Sequence, residues 1–119
     1  MNRDESRNEL GVVRIHKNVI ASISSIAAAE IEGVRRVGGN LKSGLLELMG
    51  QKSLSAIKVD ISKNEEVKVE IPLIIKYGYN IPDIASRVQE NVRQALEKMS
   101  NLSIKDINVN VQGIERGQQ

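Results

Sequence analysis

From Val67 to Tyr77 every odd position is apolar: Val67, Val69, Ile71, Leu73, Ile75 and Tyr77. That two-residue period predicts a strand with one buried face. Beyond Gly78 the period changes, and Ile81, Ile84, Ala85, Val88, Val92, Ala95, Leu96 and Met99 recur at helical spacing. Asn80 can cap this helix, Pro82 fits its first turn, and Asp83 suits the positive end of its dipole. At the joint, Tyr77 is expected to pack inward, Gly78 to take positive φ and Asn80 to cap. The alternation leaves Tyr79 less buried, which makes it a candidate partner contact.

The same reading extends along the chain. Residues 1–10 lack apolar periodicity and are expected to form a flexible arm, 11–114 a single domain, and 115–119 a polar tail. Gly11 to Ile15 is a short predicted strand. A helix follows from Lys17 to Ile31, with Val19, Ile20, Ile23, Ile26, Ala27 and Ile31 as its apolar face and Gly33 as its stop. Ser22, Ser24 and Ser25 are poor interior helix formers, so this helix depends on packing. Val34 to Ser53 reads as the least regular part, broken by glycines around a short helix that carries Leu41, Leu45, Leu46, Leu48 and Met49. Exposed leucines at that density would form a patch that invites association. Ala56 to Ile61 is a strand, joined to the long one by a five-residue loop. Pro72, which has no backbone donor, suggests an edge position or a bulge, and Ile74 suggests that part of the second sheet face is covered. Ile104 to Val111 is the last strand. The order β-α-(short helix)-β-β-α-β predicts an α+β two-layer sandwich, with a mainly antiparallel sheet and two amphipathic helices on one face.

Composition narrows the function. The 119 residues contain 17 Lys plus Arg against 15 Asp plus Glu, and the basic residues are scattered. The electrostatic footprint of a nucleic-acid binder is therefore weak. Two tyrosines are the only aromatics, so no stacking platform exists. Without cysteine there is no disulfide, thiolate metal site or cysteine nucleophile. His16 is the single histidine and lacks the partners that catalysis or metal ligation requires. Glu90 and Glu97 lie seven residues apart on the polar side of the second helix and read as a solvated face rather than an acid–base pair. The glycines match no phosphate-binding loop. No apolar run reaches the length of a membrane span, and the charged start carries no signal-type core, so a soluble, unexported chain is expected.

The blocks GVVRIHKNVIASISSIAAAEIEGV, VEIPLIIKYGYNIPDIASRVQENVRQALEKM and IKDINVNVQGI, in that order and spacing, resemble the alkaline shock protein family. His16 departs from the pattern, standing where relatives often place a serine. The resemblance implies a cytoplasmic bacterial protein of cell-envelope stress response and homeostasis, with no cofactor and no enzymatic activity. It implies a homo-oligomer and a membrane-anchored or membrane-associated protein partner, with no direct membrane insertion. Localisation would be cytoplasmic, at the inner face of the membrane only through that partner. Leu41, Leu45, Leu46, Met49 and Tyr79 are the expected partner contacts. Two alternatives stand beside this reading. One is a regulator of a fatty-acid synthesis enzyme. The other is a nucleic-acid or ribosome-associated module that uses Arg35, Arg36, Lys42 and Lys52 on phosphates.

Overall fold

The computed structural model describes residues 17–38, 56–99 and 103–116. The predicted strand at Gly11–Ile15, His16, the leucine-rich segment Leu41–Met49, Lys42 and Lys52 lie outside these residues. Within them, 17–29 are helical (α1) and four strands follow, β1 (Val34–Val37), β2 (Lys58–Ile61), β3 (Glu66–Lys76) and β4 (Ser103–Glu115). A second helix, α2 (Ile81–Met99), separates β3 from β4.

The long strand is the spine of the sheet. Along one edge of β3, β2 pairs antiparallel with Val67–Glu70 and β1 pairs antiparallel with Leu73–Ile75. Along the other edge β4 runs parallel to β3 over its whole length. Parallel neighbours cannot be joined by a tight turn, and here α2 supplies the crossover. Pro72 therefore lies in a central strand and not at an edge. Its carbonyl accepts from Gly38 N at 2.9 Å, so its nitrogen faces the same side, where β1 and β2 abut and no ladder donor is needed. The extra residues of the β3–β4 ladder sit in β4, at Lys105 and Gln112.

Both helices cover one face of this sheet. Val67, Val69, Ile71, Leu73 and Ile75 are 0–1% exposed, as the alternation predicted. Above them pack Ile84, Val88, Val92 and Leu96 of α2 and Ile20, Ala21, Ala27 and Ala28 of α1. Burying each large aliphatic side chain contributes about 1.5–3 kcal/mol, which makes this layer the main source of stability. Ser24 of α1 is also fully buried. On the opposite face the pairs Lys58/Glu70 and Asp60/Lys68 place opposite charges across β2 and β3. Ile74 points to that face and is still 3% exposed. It lies in register between Arg36 and Gly113, and Arg36 reaches over β3 to Glu115.

Several local expectations need correction. Val34–Val37, read as irregular, is a strand because β3 offers it a partner. The β2–β3 connection is Ser62–Glu65, four residues rather than five, closed by Ser62 N to Glu66 O with Glu65 at positive φ. Tyr77 lies beyond the end of β3 and is 62% exposed, with the Arg116 guanidinium 4.8 Å from its ring centre. Val19, Ile26 and Met99, assigned to buried helix faces, are 47%, 61% and 69% exposed.

Candidate interaction surfaces

The two helices run antiparallel. Gly33, just past α1, lies under Ile84 at the start of α2. Further along, Asn91 Nδ2 donates to Ala27 O at 2.8 Å and to Glu30 Oε1 at 3.1 Å. Near the end of α1 the helical ladder tightens, with Ile31 N donating to Ala28 O, so Ala27 O would otherwise be left over. Asn91 takes that carbonyl and fixes the two helices in register.

Between them lies a shallow groove of about 310 Å³ on the side away from the sheet. Ile23, Ile26 and Ala27 of α1 and Ala95 and Met99 of α2 give it an apolar floor. Glu30 with Asn91 marks one end, and Lys98 with Met99 the other. Seven residues separate Ile23 from Glu30, and Asn91 from Lys98, so at 1.5 Å per residue the ends lie roughly 10 Å apart. The outer surface of α1 beside this groove carries no charge, for no Asp, Glu, Lys, Arg or His occurs from Asn18 to Ala29. By contrast, α2 exposes Asp83, Arg87, Glu90, Glu97 and Lys98.

At the other end of the helices Tyr79 is held in place. Its hydroxyl donates to Glu32 Oε2 at 3.0 Å, and its ring lies against Gly33. That hydrogen bond, with desolvation and the charge of the same carboxylate, raises the phenol above its ordinary pKa of 10.0. A Cβ on Gly33 would approach Ile84 Cδ1 to 2.7 Å and Tyr79 Cδ2 to 2.9 Å, and its φ of +106° already favours glycine. Tyr79 remains 37% exposed. Gly78, at φ +95°, makes the turn, and Asn80 Oδ1 caps α2 by accepting from Asp83 N at 2.9 Å, both as predicted.

The basic pair read as a phosphate contact has a different arrangement. Arg35 Nε meets Glu115 Oε1 at 2.9 Å and Arg36 meets Glu115 Oε2 at 2.7 Å. The bond from Arg35, seconded by Arg36 and opposed by desolvation, holds the Glu115 carboxyl below its ordinary value. Lys42 and Lys52 lie outside the described residues, as do Leu41, Leu45, Leu46 and Met49 of the expected partner contacts. Glu90 accepts from Gln94 Nε2 at 2.9 Å on the exposed side of α2. Among the described residues no group of three or more His, Cys, Asp or Glu could hold a metal ion, and no helix is long and apolar enough to cross a membrane.

The groove-lining residues Ile26 and Met99 were legible only as apolar positions. The signal that sets Ile26 apart is the missing charge on the solvent side of α1, and Met99 carries no such signal.

Known proteins agree with this architecture. The Bacillus subtilis (strain 168) protein YqhY is 36% identical over 113 residues, which cover 94% of this chain and 83% of YqhY. YloU of the same organism is 26% identical, with 92% and 93% of the two chains covered. A stress response regulator gls24 homolog of Streptococcus pyogenes serotype M3 is 23% identical, over 92% of this chain and 62% of its own length. Among solved structures, a zinc form of the MamM CTD superposes with a TM-score of 0.58 at 14% identity, covering 87% of this chain and 92% of that one. At that identity the likeness is one of fold. A family model matches residues 5–116, and together with the 36% identity to YqhY it makes the chain a member of the alkaline shock protein 23 family, whose described function is cell envelope-related.

Proposed function

We propose that the chain is a non-enzymatic cytoplasmic protein of the bacterial cell-envelope stress response, working by self-association and by binding a membrane-associated protein. The observation that carries this reading is the exposed, uncharged outer side of α1 with Val19 and Ile26 on it. A helix face that stays in water is normally charged, whereas the centre of a protein interface is depleted of charge. The cell envelope-related family and the stress response regulator among the relatives support the setting. Leu41, Leu45, Leu46, Met49 and the exposed part of Tyr79 serve as further contacts to the membrane-associated partner.

Flotation tests this reading. The chain is expected to float with native membranes of its host and to stay behind with protein-free vesicles of the same lipids. Leu45→Asp should reduce the membrane-bound fraction. Equal binding to protein-free vesicles, or no binding to either, would contradict the proposed partner. A turnover assay that found catalysis would contradict the non-enzymatic role.

A further inference from the structure

We infer that the α1–α2 groove is closed by the same groove of a second copy of this chain, with Glu30 of each copy against Lys98 of the other. The inference rests on the self-association reading and assigns it a surface and a symmetry.

Three observations select a second copy as the occupant. The floor of Ile23, Ile26, Ala27, Ala95 and Met99 is apolar, and Ile26 and Met99 stand 61% and 69% exposed on it. The neighbouring α1 surface is uncharged from Asn18 to Ala29, while the ends of the groove carry Glu30 and Lys98. That is an interface centre with a charged rim. Third, the two rim charges have opposite sign and lie at opposite ends, so the surface complements itself.

Charge also chooses the two-fold axis. Two grooves can meet face to face about an axis in the contact plane, either along the groove or across it. An axis along the groove would set Glu30 beside Glu30 and Lys98 beside Lys98. An axis across it reverses the second groove and brings Glu30 level with the other copy's Lys98 at both ends. Among the described residues Lys98 has no ion-pair partner within its own chain, and Glu30 is held by Asn91 at the groove end. The dimer so formed has its helices inside and a sheet on each outer side.

Sedimentation of the full chain over a range of concentrations tests this, with circular dichroism confirming that each variant is folded. The wild type is expected to dimerise, and Ile26→Asp to be monomeric. Glu30→Lys and Lys98→Glu should each weaken dimerisation by about tenfold or more, because two-fold symmetry turns one substitution into two like-charge contacts. An equimolar mixture of Glu30→Lys with Lys98→Glu should associate again, since in that heterodimer both contacts join a lysine to a glutamate. Failure of the mixture to associate while each variant is weakened would overturn the cross-groove pairing. A wild type that associates and is indifferent to all these substitutions would overturn the groove assignment and leave self-association standing. A wild type that stays monomeric would overturn both, as it would if a helix of another protein fills the groove.

Discussion

The two helices share one sheet face and differ on their outer sides. α2 follows the ordinary rule for a surface helix: Ile84, Val88, Val92 and Leu96 go down, and Asp83, Arg87, Glu90, Glu97 and Lys98 go out. It also adds an exposed ion pair, Arg87 with Asp83 at 3.2 Å, one turn apart. α1 breaks the rule. Its buried side is made largely of small residues, Ala21, Ser24, Ala27 and Ala28 around Ile20, and its outer side is Val19, Ser22, Ser25, Ile26 and Ala29. Small residues inward bring α1 close to the sheet, and uncharged residues outward gain little from water. One helix is finished by solvent; the other has the surface of a helix that something covers. The difference separates a residue's contribution to the fold from its contribution to the proposed association.

The sharpest way to break that separation is to truncate one residue on each side of the helix layer. Leu96→Ala should lower unfolding free energy by about 2–5 kcal/mol in chemical denaturation, because it opens a cavity over a fully buried site. Ile26→Ala, measured under monomeric conditions, should stay within about 0.5 kcal/mol of the wild type. An Ile26 effect as large as that of Leu96 would mean that α1 is covered by its own chain. Next comes the end of α1. Gly33→Ala should cost about 1–3 kcal/mol, since the position combines positive φ with contacts too short for a Cβ. Tyr79 fluorescence should change with it, because that ring must move.

Asn91→Ala probes the link between the helices. Losing the bond to Ala27 O should cost about 1 kcal/mol. In addition, hydrogen exchange in the last turn of α1 should rise while that of α2 stays unchanged. The smallest effect lies on the far face of the sheet, as a control for both helices. Glu115 has a carboxyl pKa lowered by Arg35 and Arg36, so its contribution is full above the ordinary carboxylate value of 4.5. It is lost as pH falls through the lowered value. Glu115→Gln should therefore flatten the acid limb of stability and leave the α1–α2 difference intact, read by thermal unfolding between pH 3 and 6, roughly the carboxylate range.

Much of the fold was legible because single elements carry their own signals. The alternation of Val67 to Ile75 marked the spine strand, and Asn80 with Pro82 and Asp83 marked the start of α2. Gly33 marked the end of α1. Tyr77 shows where such a signal overruns. It continues the alternation one step past the last residue of β3, where no helix remains to cover it. β1 shows the reverse. Four residues, Val-Arg-Arg-Val between glycines, hold too short a period to read, and pairing with Ile75, Ile74 and Leu73 makes them a strand. The proposed interaction surface was half legible. Apolar positions at Val19, Ile23 and Ile26 were plain, but the charge-free run from Asn18 to Ala29 gained meaning only beside an exposed Ile26, because a helical wheel does not say how wide an arc the sheet will bury.

By itself, then, the sequence determined that α1, α2, β2, β3 and β4 form, which face of each is apolar, the α+β class and membership of its family. These depend on spacing along the chain, on caps and on local backbone chemistry. Tertiary structure alone decided that β4 lies parallel beside β3 and that Pro72 is central. It also decided that Arg35 and Arg36 meet Glu115, and that Ile26 and Met99 stay in the open beside Glu30 and Lys98. Each of these joins residues far apart in sequence, and the geometry of two helices crossing one sheet determines which of their apolar residues find cover.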